Sequence, residues 1–204
     1  MIITTITIWL AFWILVMGVK DYFFKKYKIT YYQYSWQHTL FFIISLALLF
    51  LIYKSNFVNY FSNQYILVIS SLFTLFVLWL LVPRFYKNDY FTKRERFLYA
   101  VPKFLEILFQ QFCFLAGLLT FGLSPTLFGL VFFAIHIPVL FFIPKKFALF
   151  FIGGSLFGGI IFAYLQSLGV NGFLLAVLIH VLFYICFHGA LSGGRFPKII
   201  PHKR

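Results

Sequence analysis

The sequence is nearly without acidic residues: Asp21, Asp89, Glu95 and Glu106 are the four in 204 positions. Charge of either sign is scarce, at 10% of residues, where a soluble globular domain carries about 25%. So little charge cannot solvate a globular surface, which excludes an ordinary soluble domain. Cysteine is rare too. Cys113 and Cys186 lie inside apolar runs, at depths roughly 15 Å apart for a helical rise of about 1.5 Å per residue. That is beyond disulfide reach, and both are expected to be free buried thiols. The start of the chain has no basic region and no small-residue cleavage site, so residues 2–19 are expected to be a retained helix and not a signal peptide. No polar stretch is long enough for a soluble domain or a long linker.

What is present is apolar. Hydrophobic residues make up 63% and aromatics 24%, with 32 phenylalanines. Runs near 20 such residues are long enough to cross about 30 Å of hydrocarbon as helices. Seven are visible, at about 2–19, 36–53, 65–82, 98–120, 123–143, 147–168 and 172–189. The fold class is therefore all-α: a polytopic membrane protein of about seven transmembrane helices. The phenylalanines read as lipid-facing bulk.

The 17 basic residues and net charge of +13 would suggest nucleic acid in a soluble protein. Here they sit in short connections, where Lys and Arg set topology and meet anionic headgroups. The connections at 20–35, 84–103 and 144–146 and the 189–204 tail hold all of them except Lys54. That alternation predicts an outer N-terminus and a cytoplasmic C-terminus. Anionic lipid headgroups on the cytoplasmic side are the expected partners, and nucleic acid is not. The 84–103 segment suits either a surface-lying amphipathic stretch or a plain basic connection. The chain divides into three N-terminal helices with a basic loop (1–97), a four-helix core (98–191) and a basic tail (192–204).

Within the core, three ionisable groups stand out: Glu106, His136 and His180. A charge at the centre of a membrane helix costs roughly 2.5–3.5 kcal/mol or more, which makes such a residue a functional candidate. At about 1.5 Å per residue, all three fall roughly 10–14 Å from the cytoplasmic edge. Two imidazoles and a carboxylate could hold a zinc ion with an open position for water. Alternatively the carboxylate could act as a general base. The plain readings stand beside these. Glu106 follows Lys103 by three residues and could form a snorkelling ion pair with it. Each histidine could be an interhelical hydrogen-bonding residue. Gln110, Gln111 and Gln166 would be polar glue between helices, and Gly154 and Gly158 a small-xxx-small pair for close helix approach. His38 and His188 lie at run ends and are expected at the interface.

In order, these residues resemble the CAAX protease and bacteriocin-processing (CPBP) family of intramembrane peptidases. That family carries E-E-x-x-x-R, then F-x-x-x-H, a glycine-rich helix, and H-x-x-x-N. Leu105-Glu106 through Gln110 occupies the first motif, Phe132 through His136 fits the second, and His180 through Tyr184 occupies the last. Leu105 stands for the first glutamate, Gln110 for the arginine and Tyr184 for the asparagine. A shift of one residue would put Glu106 at the first glutamate and Gln111 at the arginine. The resemblance implies a CPBP-like endopeptidase cleaving membrane-embedded or membrane-proximal peptides from the cytoplasmic side. Glu106 would activate water, His136 and His180 would bind a metal or stabilise an oxyanion, and Gln110 and Tyr184 would orient them. The missing motif residues leave a second function open: an inactive relative serving as scaffold or partner among other membrane protein subunits. The family's distribution implies a bacterial inner membrane.

Overall fold

The computed structural model describes residue 7 and residues 34–62, 64–81, 93–137 and 145–186. The elements among them are all α-helices. The first apolar run apart from residue 7, the basic residues that follow it, His188 and the tail lie outside these residues. Helices occupy the other six runs. α1 (Ser35–Ile52) buries a stripe of Ser35, His38, Phe42, Ser45 and Leu49, spaced three and four apart as one helical face requires. Its other face exposes Trp36, Ile43, Ile44 and Leu51, an apolar surface suited to lipid and not to water.

A short helix, α2 (Lys54–Phe61), follows in the connection between the second and third apolar runs. It is bent 93° from α3 (Tyr65–Leu81). The Tyr60 hydroxyl donates to the carbonyls of Gln166 at 2.6 Å and Gly169 at 2.7 Å, tying α2 to a distant turn.

At the centre lies α4 (Lys93–Phe121), which packs on α1, α2, α3, α6 and α7. Of its Ala100–Phe121 stretch 72% is buried, against 28% of α1, which places α4 inside and α1 at the rim. Because α4 starts at Lys93, residues 93–99 are continuous in backbone with the Ala100–Phe121 stretch. Pro102 stands within it and cannot donate to the carbonyl four residues back. In the same turn, the buried Trp79 indole on α3 donates to the Ala100 carbonyl at 2.8 Å.

α5 (Pro125–His136) starts where Ser124 caps the Leu127 amide at 3.3 Å and Pro125 takes the first turn. α6 (Lys145–Ser167) and α7 (Val170–Cys186) are joined by a turn at Gly169, whose φ of +89° suits glycine. α5 approaches α6 closely. A Cβ on Gly129 would lie 2.6 Å from the Ile160 backbone nitrogen, and one on Gly159 would lie 2.9 Å from the Gly129 carbonyl. Gly154 and Gly158, the pair expected to allow close approach, would meet only the rings of Phe183 at 3.7 Å and Phe162 at 3.6 Å. That is ordinary contact.

The phenylalanines are not only lipid-facing. Phe42, Phe57, Phe109, Phe114, Phe128 and Phe173 are fully buried. Phe112 meets Phe57, Phe61 and Phe173 with ring centroids 4.9–5.9 Å apart. In lipid, which supplies little hydrophobic force between helices, van der Waals packing of this kind would hold them together.

α1 and the Ala100–Phe121 part of α4 are long and apolar enough to cross a membrane. α2 and α3 make a third if the bent pair counts as one span.

Candidate functional site

The polar groups of the core gather where the first turns of α4's apolar part meet the last turns of α7. The sequence dictates this by helical periodicity: Lys103, Glu106 and Gln110 recur at three and four residues on α4, and His180 and Tyr184 at four on α7. Glu106 is buried, and Lys103 Nζ donates to its Oε2 at 3.1 Å. Gln110 Nε2 donates to its Oε1 at 3.3 Å. Lys103 does not snorkel. It too is buried, and its ammonium sits 4.0 Å above the centre of the Tyr184 ring. Carboxylate and aromatic face together replace water that the ammonium has lost.

Tyr184 in turn stacks on His180, with centroids 5.3 Å apart and planes 23° apart. Phe162 on α6 flanks the same imidazole at 5.4 Å. The Gln111 amide reaches His180 Nδ1 at 2.8 Å, and Gln166 Nε2 donates to Gln111 Oε1, also at 2.8 Å. One polar chain thus links α4, α6 and α7.

His136 ends α5 and is half-buried. Its Nδ1–H donates to the Phe132 carbonyl at 2.8 Å, and the Phe132 ring lies 4.3 Å from the imidazole. Among the described residues, no three of the His, Cys, Asp and Glu side chains converge closely enough to hold a metal. The expected zinc ligand set therefore does not fit. Both Glu106 oxygens are engaged by nitrogen donors, and His180 Nδ1 faces Gln111.

Three residues carry more than their sequence positions suggested. His38, expected at the interface, is 1% exposed in the seam between α1 and α4 and donates from Nδ1 to the Tyr34 carbonyl at 2.8 Å. The available signal was its place on the buried stripe with Phe42, Ser45 and Leu49. Gln111 and Gln166 form the interhelical bridge that polar glue implies, but their convergence on His180 needs tertiary structure. Cys113 is buried, as expected.

Fold and site define a helical, apolar chain with membrane-length helices and a buried polar layer. No protein-family model, no curated protein and no solved structure matches it.

Proposed function

We propose that the chain is a seven-helix integral membrane protein with a CPBP-like core, and that this core works without catalysis, as the scaffold or partner subunit of a membrane protein complex. The observation that carries this reading is the engagement of Glu106. A general base must present a carboxylate oxygen to a water, and here a water would compete with the Lys103 ammonium for one oxygen and with the Gln110 amide for the other. The losses at Leu105, Gln110 and Tyr184 point the same way.

The topology proposed is an outer N-terminus and a cytoplasmic C-terminus, in a bacterial inner membrane, with basic connections on anionic headgroups. Contacts between helices support the alternation. Phe42 meets Phe109 and Phe50 meets Phe112, so α1 and α4 run parallel. Phe76 meets Phe104 while Trp79 meets Ala100, so α3 runs against α4. Lys103 meets Tyr184 and Phe112 meets Phe173, so α7 runs against it too.

The peptidase reading keeps one observation in its favour: Lys103 supplies a cation beside Glu106 where the motif arginine is missing. One assay divides the two. Purified protein in liposomes is given quenched-fluorescent prenylated and bacteriocin-type peptides, beside a Glu106→Gln variant. The scaffold reading expects no cleavage that depends on Glu106. Turnover in the wild type that is lost in a folded Glu106→Gln protein would overturn it.

A further inference from the structure

The amide chain behind His180 has a direction, and that direction sets where the imidazole carries its proton. Gln166 is fully buried. Its Nε2 reaches two oxygens of Gln111, the side-chain Oε1 at 2.8 Å and the backbone carbonyl at 3.5 Å. Its own Oε1 has no hydrogen-bond partner among the described residues. Turning this amide over would lose the bond to the carbonyl and bury two N–H donors where one acceptor now sits. Orphaned buried donors are the less tolerated case. Gln166 is therefore the donor and Gln111 Oε1 the acceptor.

The next link follows from amide geometry. With its oxygen turned to Gln166, Gln111 presents its NH2 group to His180 Nδ1 at 2.8 Å. An NH2 group only donates, so Nδ1 must carry a lone pair and the ring proton must be on Nε2. His136 has the opposite arrangement, because its Nδ1 faces a carbonyl and must carry the proton.

We propose that Gln166 and Gln111 hold His180 as its Nε2–H tautomer, a fixed hydrogen-bond donor for a carboxylate or carbonyl oxygen and not a ligand for zinc. Both ring nitrogens are then committed: Nδ1 accepts from Gln111, and Nε2 is protonated. Metal binding through His180 would require breaking the amide chain. Gln111 and Gln166 are positioning residues in this arrangement. It does not depend on whether the core is catalytic, since a donor at this place serves a structural oxygen and a substrate carbonyl alike.

The experiment is nitrogen NMR of the full chain in bilayers, with labelled histidine and 15N-valine. His180–Val181 is the one His–Val pair in the sequence, which assigns the ring. At neutral pH the wild type is expected to show Nε2 protonated and Nδ1 bare, unchanged by excess zinc salt. Gln111→Leu removes the donor and is expected to yield a mixture of tautomers. Gln166→Leu, which leaves Gln111 free to turn, should do the same more weakly and serves if the first variant fails to fold. A wild type protonated at Nδ1, a zinc-dependent shift of either His180 nitrogen, or a single Nε2–H tautomer in the folded variants would overturn the proposal.

Discussion

Lys103 and Glu106 are one turn apart on the largely apolar Ala100–Phe121 stretch of α4, and neither faces water. Pairing makes this tolerable. Two charges taken from solvent recover their desolvation only through each other and their remaining hydrogen bonds, here from Gln110 and the Tyr184 ring. Removing one partner leaves the other as an uncompensated buried charge, at about 3–5 kcal/mol, whereas replacing both with apolar side chains is near neutral. Lys103→Met and Glu106→Gln should therefore each lower the unfolding free energy by about that much. The double variant Lys103→Met/Glu106→Leu should recover most of the loss. Reversible unfolding in bilayers, run as a double-mutant cycle, measures this. Two simply additive losses would mean that the pair carries no coupling. The pair itself was legible in the sequence, because spacing of three residues on a helix puts two side chains on one face. Its inward orientation was not, because that is decided by Tyr184, 81 positions further along.

At the level of helices, membrane packing rests on shape. α5 and α6 touch backbone to backbone at Gly129 and Gly159, where no side chain intervenes. Even a methyl group at Gly129 would have to displace the Ile160 main chain, which no rotamer change can relieve. Gly129→Ala should cost roughly 1–3 kcal/mol, the range for overpacking, or more. Gly153 offers the contrast, since nothing lies within 4 Å of its added Cβ. Gly153→Ala should be neutral or stabilise by up to about 1 kcal/mol, through helix propensity. Thermal unfolding of both variants in the same detergent compares them. Equal effects would refute the close approach. The sequence displays four glycines on α6, but which of them meets a neighbour depends on the rotation of α6 about its axis. That rotation is set by the whole of α5 and by Phe183 on α7, and periodicity within α6 does not contain it.

For the molecule as a whole, the question is which ends of the helices share a side. Tyr60 holds α2 against the turn between α6 and α7, so the 54–64 connection and that turn lie at the same end. Lys103 and Tyr184 lie at the other. In the proposed topology the first end is outer. A cysteine placed at Asn56 should react with an impermeant maleimide added outside sealed cells, and one at Asn88 only after permeabilisation. The reverse pattern would invert the orientation, and labelling of both from one side would break the alternation.

Composition alone determined the class of this chain. With 10% charge and apolar runs of near-membrane length, helices that satisfy their own backbone hydrogen bonds are the economical solution in lipid. The order of the polar residues also determined which helices carry them. The tertiary structure decided what those residues do. Whether Glu106 faces a metal, a water or a lysine depends on a few ångströms between helices far apart in sequence. Those distances follow from packing among buried rings and bare glycines, which no single helix encodes.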